Sequence, residues 1–328
     1  MQDLIKALRS SPRLTNKQKL MKLWDIFPRV CEVEEKEVIL GDDAAAIEIG
    51  DGYLLLAAEG VYPQLLKSNP YLSGRTSVLT NVNDIYAMGG RPLAILDVLF
   101  SSEIEQATDI LRGIKDNSSR YNVPLVGGHF TNTPDSASLS VFILGKARRL
   151  LSSFNAKIGD DLVLISSLTG KYYAGFNFWD SSSSLSSEEA IRQLELLPQI
   201  AEDGIADTAK DISMAGIIGS TVMLLECSGV GAEIYIDKIP TPIEIPLEHW
   251  LLTFPSYGFV LSIRPDYTHE IKNRFRKFDL TCEIIGKAIE GPNVFLVHGS
   301  EDRKLFLDLK TDPMIGINRE NSNKVING

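Results

Sequence analysis

One stretch, Asn81–Pro92 (NVNDIYAMGGRP), restricts the possible folds more than any other. A helix-compatible run stops at Gly89-Gly90, residues that reach left-handed backbone angles without a Cβ clash and so end helices readily. Pro92 blocks any continuation, and the apolar run LAILDVLF that follows has the length and composition of a buried strand. A helix feeding directly into a buried strand is a unit of an α/β or α+β domain. The helix carries one acid, Asp84, and the chemistry open to the chain depends on which other acids gather around it.

The same alternation continues along the chain. Val38–Leu40 and Tyr53–Ala58 read as strands next to the turns Gly41-Asp42-Asp43 and Gly50-Asp51-Gly52. A loop at 61–71, a helix over Leu72–Met88, a strand over Pro92–Phe100, a helix over Glu103–Tyr121 and strands at Val123–Val126 and Leu139–Leu144 complete the first half. Lys146–Ser153 is basic and aperiodic and marks a boundary. In the second half a strand is expected at Asp161–Ile165, the opening of a helix at Gly170-Lys171, a helix at Glu188–Leu197, and a long helix from Ala209 to Ser228 that begins near Asp211. The segment WDSSSSLSS reads as a flexible loop, with a mobile lid as the alternative. The expected class is α+β in two domains: an arm at 1–35, an N-terminal domain at 36–148, a C-terminal domain at 152–312 and a flexible tail at 313–328. Within the arm, Leu4, Leu8, Leu20, Leu23 and Phe27 recur at near-helical spacing. Its basic residues, Lys6, Arg9, Arg13, Lys17, Lys19 and Lys22, form either a solvated face or a phosphate-facing arm.

Thirty-three basic residues against 43 acidic ones, a formal charge of −10, disfavour a general nucleic-acid binder. Cys31, Cys227 and Cys282 are far apart and odd in number, which fits thiols in a reducing compartment. The first residues lack a signal-peptide core, and no apolar run reaches the roughly 20 residues that span a bilayer. A cytoplasmic protein with no membrane or nucleic-acid partner is expected.

Asp43, Glu59, Asp84 and Asp211 fall at loop or helix starts. With no Cys or His beside them they suit a hard cation, and Mg²⁺ takes oxygen ligands while bridging phosphates. Carboxylates alone would repel a triphosphate, since like charges at 4 Å cost about 1 kcal/mol in water and more at a protein surface. A metal between them reverses the sign. Adjacent residues of an extended chain point to opposite faces, so one of Asp42 and Asp43 should face the site and the other should bond nearby backbone. Gly89-Gly90 and Gly127-Gly128 could present N–H groups to phosphate or simply end their elements; neither belongs to a P-loop. His129 could contact phosphate, act as an acid or base, or be a hydrogen-bonded core residue.

Taken in order, GDDAAAI, NPYLSGRTSVLTNVNDIYAMGGRPLAI, VPLVGGH, DISMAGIIGS and SGVGAEIYIDKIP resemble the AIR synthase-related, PurM-like ATP-binding superfamily over about residues 36–310. Its members include aminoimidazole ribonucleotide synthetase, thiamine-monophosphate kinase, selenide water dikinase and the hydrogenase maturation factor HypE. The resemblance implies an N-terminal sheet that pairs with its copy in a dimeric barrel, an α+β C-terminal domain beside it, and ATP in the cleft between them, held through Mg²⁺. By motif it makes Asp43, Asp84 and Asp211 metal ligands, lets Asn81 reach the phosphates, and lines the phosphate end with Gly127, Gly128 and a catalytic His129. The chain departs from the pattern in places. Glu59 stands where relatives carry Asp, Met214 stands where thiamine-monophosphate kinases carry a second acid, and no N-terminal glycine-rich loop bears a reactive Cys. The implied activity is ATP- and Mg²⁺-dependent activation of a small-molecule oxygen by phosphoryl transfer, ligase- or cyclase-like. The alternatives are a small-molecule kinase resembling thiamine-monophosphate kinase and a non-catalytic nucleotide-binding dimer. LLLAAEG and WLLTFPSYGFVLSI resemble a separate AIR synthase-related branch.

Overall fold

The computed structural model describes residues 1–23, 26, 30–133, 137–173 and 175–318. Phe27 of the expected arm pattern therefore lies outside the described residues. The arm folds as α1 (Gln2–Ser10) and α2 (Pro12–Gln18). Ser11 separates them and caps α2, its hydroxyl accepting from Arg13 N at 3.3 Å, with Pro12 in the first turn where no N–H is needed. A hairpin follows, β1 (Val30–Val33) with β2 (Lys36–Ile39).

The N-terminal sheet contains β3 (Ala45–Ile49), β4 (Gly52–Gly60), β5 (Arg91–Ser101), β6 (Leu125–Asn132) and β7 (Ser138–Ala147). Its spatial order is β3-β4-β7-β5-β6, antiparallel except for the β5–β6 pair. Three helices, α3 (Pro63–Ser68), α4 (Pro70–Ala87) and α5 (Ile104–Arg120), pack on one face. The loop expected at 61–71 thus contains α3, and Asn69 caps α4 by accepting from Leu72 N at 3.0 Å. α4 is buried on nearly all sides, so its hydroxyls bond back to its own carbonyls, as Ser73 does to Pro70 O and Ser77 to Gly74 O.

The C-terminal domain is built on a seven-stranded sheet of β8 (Asp161–Ser166), β11 (Ala209–Asp211), β12 (Gly231–Tyr235), β14 (Gly258–Ile263), β15 (Thr281–Ile289), β16 (Asn293–His298) and β17 (Asp302–Asp308), in the order β11-β14-β8-β15-β12-β16-β17. A small sheet joins β9 (Lys171–Tyr172), β10 (Phe178–Asp180) and β13 (Phe254–Pro255). Four helices cover the domain: α6 (Ser187–Glu202), α7 (Gly216–Ser228), α8 (Leu247–Leu251) and α9 (Pro265–Arg276). The central strand β8 is apolar on both faces. Val163 and Ile165 join the core shared with the N-terminal domain, and Leu162 and Leu164 the core under α7. The molecule is α+β in two domains, docked through Arg91, which bonds Glu195 at 2.8 Å and Glu202 at 2.6 Å on α6.

Four expectations change. Gly170-Lys171 opens no helix: residues 171–172 form a strand, because Tyr172 packs edge-on against Trp179 with centroids 5.1 Å apart. The expected helix from Ala209 splits into β11 and α7, which begins only at Gly216, where φ is +71°. The serine-rich segment is anchored rather than free. Asp180, Ser181 and Ser182 are buried, the Asp180 carboxylate accepts from Ser182 N and Ser183 N, and Arg120 donates to Ser182 O. The tail is packed as far as it is described: Met314, Ile315 and Ile317 are buried, and Glu226 accepts from the N–H groups of residues 314, 315 and 316. Among the described residues no helix is long and apolar enough to cross a membrane.

Candidate functional site

Three separate elements deliver the acids. Asp43 sits in the turn between β2 and β3, Asp84 in the last turn of α4, and Asp211 at the end of β11. A carboxylate oxygen from each lies within 4.8 Å of the other two. Asp42 turns away, accepting from the Ser152 hydroxyl at 2.6 Å and from Ser153 N at 3.2 Å. The division of labour expected of adjacent acids is present, with Asp43 the one that faces the site. Asp43 is fixed by an ion pair with Lys210 and by Asp211 N, which donates at 3.1 Å. The Lys210 side chain is 8% exposed and that of Asp43 is 4% exposed.

One buried ammonium does not neutralise this cluster. Burial, with Asp211, Glu59 and Asp43 close by, holds the Asp84 carboxyl well above the usual carboxylate range. Burial and Asp43 push Asp211 up to about 8. Glu59 is raised by the crowding of protein around it and by Asp43, with Lys17 opposing. Burial alone would lower Lys210, but Asp43, Asp211 and Asp42 outweigh it and raise its pKa. Asp84 Oδ2 is buried with no hydrogen-bond partner, as are Asn81 Oδ1 and Asn83 Oδ1 nearby on α4. A buried carboxylate oxygen without a donor is costly unless a cation meets it. An all-oxygen set lacking Cys or His fits a hard divalent ion, which would displace the protons these raised pKa values imply.

The acids floor a cavity of about 690 Å³. Glu59 stands on its wall, so this acid joins the other three at one site. Val61, Leu65, Phe178 and Phe254 form an apolar side, and Arg13, Lys17 and Leu20 of the arm form another.

Other expected residues lie elsewhere. Asn81 is fully buried, donates to Ser77 O at 2.8 Å and does not line the cavity. Gly89-Gly90 is corrected from a phosphate contact to a helix stop. Its N–H groups donate to Tyr86 O and Ile85 O, both at 2.9 Å, and a Cβ on Gly90 would lie 2.3 Å from Leu55 Cδ1. Gly127, Gly128 and His129 lie on β6, at the edge of the N-terminal sheet, and do not line the cavity. Gly128 accommodates Asp97, whose Oδ1 would be 2.0 Å from a Cβ there. His129 is exposed, with Nε2 3.0 Å from Thr131 Oγ1. Register aligns His129 with Val98, Ser140 and Gly60, whereas Glu59 is aligned with Val141 and Asp97 on the opposite face. Lys210 was not foreseen. A lysine directly before an acid on a short strand has no local signal, and only its burial against Asp43 reveals it.

Family models described as AIR synthase related protein, N-terminal domain, and AIR synthase related protein, C-terminal domain, match residues 41–147 and 157–299. The chain is 45% identical over 278 residues to the uncharacterized protein sll0787 of Synechocystis sp., covering 84% of this chain and 86% of that one. Among solved structures, T. maritima PurL complexed with ADP superposes with a TM-score of 0.73 at 19% identity, over 92% of this chain and 49% of PurL. The chain therefore spans about half the length of that protein. AaThiL complexed with AMPPCP and TMP superposes with a TM-score of 0.60 at 23% identity, over 82% of this chain and 92% of AaThiL.

Proposed function

Because the chain belongs to the AIR synthase related family, we propose that it is an ATP- and Mg²⁺-dependent enzyme that transfers the γ-phosphoryl group to an oxygen of a small molecule, in the manner of a ligase or cyclase. The observation that carries this reading is the convergence of Asp43, Asp84 and Asp211 from both domains on one cavity, with Asp84 Oδ2 buried and unpartnered. Nucleotides bound to PurL and AaThiL support the choice of ligand. Asp43, Asp84 and Asp211 would hold the ion, with Glu59 beside them. Magnesium would supply neutralisation of the phosphate charge, the largest obstacle to bringing a triphosphate near four acids.

Lys210 keeps Asp43 in place and offsets part of the excess charge when the ion leaves. In the transfer, the acceptor oxygen bonds to the γ-phosphorus as the bond to the bridging oxygen breaks and ADP departs. Capture of the activated acceptor by a nucleophile gives the ligase or cyclase outcome, and release of the phosphorylated acceptor gives a kinase. The kinase reading is favoured by the likeness to AaThiL, which extends over 92% of that chain.

A homodimer is part of the proposal. The face of the N-terminal sheet turned away from α4 exposes Leu56, Leu96, Phe142 and Leu144, an apolar surface suited to a second copy. His129 shares that face with Ser140 and would lie at the dimer interface, away from the acid floor of its own cavity. Three free cysteines support a reducing, cytoplasmic setting.

Isothermal titration with ATP tests the reading. Saturable binding that requires Mg²⁺, with ADP release when a pool of carboxylate and phosphate metabolites is added, is the expected result. Absence of binding with Mg²⁺ present overturns it. Tight binding without turnover on any acceptor identifies a nucleotide-binding dimer instead.

A further inference from the structure

We propose that the N-terminal arm builds a phosphate-binding wall of the cavity, with Arg13 and Lys17 of α2 as the groups that grip phosphoryl oxygens. The inference deepens the reading of the cavity as a nucleotide-dependent transfer site and rests on it.

Arg13 and Lys17 are one helical turn apart, and Leu20 extends the same stripe; all three line the cavity. Leu14 points the other way. It is 3% exposed, sits in the core under α7 and reaches to 3.6 Å from where a Cβ on Gly219 would lie, so the roll of the helix is set. The helix is also tied to the C-terminal segment by Gln18 Nε2, which donates to Asp312 Oδ1 at 2.9 Å, while Arg9 of α1 pairs with Asp312 at 2.5 Å.

The charges in the cavity leave these two cations a specific task. Its other charged lining residues are Asp42, Asp43, Glu59, Asp84, Asp211 and Lys210, and Lys210 is committed to Asp43. Among the described residues neither Arg13 nor Lys17 is in an ion pair at contact distance. Lys17 and Arg13 line the same cavity as the acids, so both cations face the ligand space that the acids floor. Arg13 is half-buried, and burial lowers its pKa although no carboxylate compensates it. Its Nη1 donates to Met214 O at 3.1 Å, which fixes the side chain and leaves further N–H groups for a planar, two-oxygen contact. A half-buried guanidinium without an acid partner, above an ion-binding floor, is matched by the oxygens of a phosphate. These oxygens could belong to the nucleotide or to a phosphorylated acceptor.

Titration calorimetry separates the two sources. Mg·AMPPCP is titrated into the full-length protein, and inorganic phosphate is titrated both alone and after saturation with Mg·ADP, for the wild type, Arg13→Ala, Lys17→Ala, Lys17→Arg and the double alanine variant. Each alanine substitution should weaken one series by about tenfold or more, the loss expected for a charge-assisted hydrogen bond, and Lys17→Arg should restore most of it. A loss in the Mg·AMPPCP series assigns the wall to the nucleotide, and a loss confined to the phosphate series assigns it to the acceptor. Unchanged affinities in both series for the double variant overturn the inference. A wild type that fails to bind Mg·AMPPCP overturns the transfer reading, while the phosphate series still decides the role of the arm. Unaltered thermal midpoints of the variants exclude misfolding as the source of any loss.

Discussion

The acid floor of the cavity is drawn from α4, β11 and the turn before β3, whereas its cationic wall comes from α2 alone. The acids of the floor are held inside a buried frame. Asp43 is gripped by Lys210 and Asp211 N, Asp42 by Ser152 and Ser153, and α4 behind Asp84 is enclosed on nearly all sides. The wall is a seven-residue helix, half exposed, pinned by Leu14, by Gln18 on Asp312 and Pro313 O, and by Arg13 on Met214 O. The contrast separates two requirements. Acids crowded together need a rigid frame to hold them against their own repulsion, and the cations beside them need only enough anchors to set the roll of one short helix.

Breaking the floor should have the largest effect. Asp84→Asn removes a buried carboxylate that has no donor, so Mg²⁺-dependent AMPPCP binding should fall by about a hundredfold or more, while the thermal midpoint holds or rises because repulsion among the acids is relieved. Wild-type affinity in that variant would mean the floor is not a metal site. Lys210→Met should act on the frame itself. It leaves Asp43 buried without its cation and should cost about 3–5 kcal/mol in urea unfolding, the range for breaking a buried pair; a loss below about 1 kcal/mol would show that the pair is not what fixes Asp43.

Leu14→Ala separates the two regions most sharply. It should cost less than the about 2–5 kcal/mol of an ordinary core leucine, speed hydrogen exchange across α1 and α2, and weaken AMPPCP binding to the level of Lys17→Ala. The full loss of about 2–5 kcal/mol in unfolding free energy would show that the arm is part of the cooperative core. Asp312→Ala should do least. It removes one exposed and one part-buried bond, the exposed ion pair worth at most about 1 kcal/mol, so mainly the exchange of the arm should change.

Much of the floor was legible in the sequence because strand and helix periodicities are local. The alternation of an extended chain foretold that Asp42 and Asp43 would part, and the glycine stop foretold the end of α4 that positions Asp84. Other features depended on distant packing. Gly89-Gly90 has the composition of a phosphate loop, but what requires glycine is the close approach of Leu55 and Arg149. Asp211 was placed at the site but on the wrong element, since the apolar run of residues 209–228 fits a helix until Gly216 restarts the chain. Met314–Ile317 reads as part of a polar tail because its burial depends on Glu226, far away in sequence. His129 follows two glycines in the expected motif, yet sheet register sets it on the face opposite Glu59.

The packing of Ile317 also orders events in time. Its Cδ1 lies where a Cβ on Gly41 would be 2.7 Å away, and Ile315 lines the cavity. The turn that carries Asp43 therefore leans on residues made almost 280 positions later. The acidic turn gains Ser152 and Ser153 first, Lys210 and Asp211 next, and its packing against Ile317 only when residues 314–317 have emerged and closed on Glu226. During synthesis the acid cluster is among the last parts of the molecule to be completed, so a partly made chain carries Asp43 and Asp84 without the third acid and without the packing behind them.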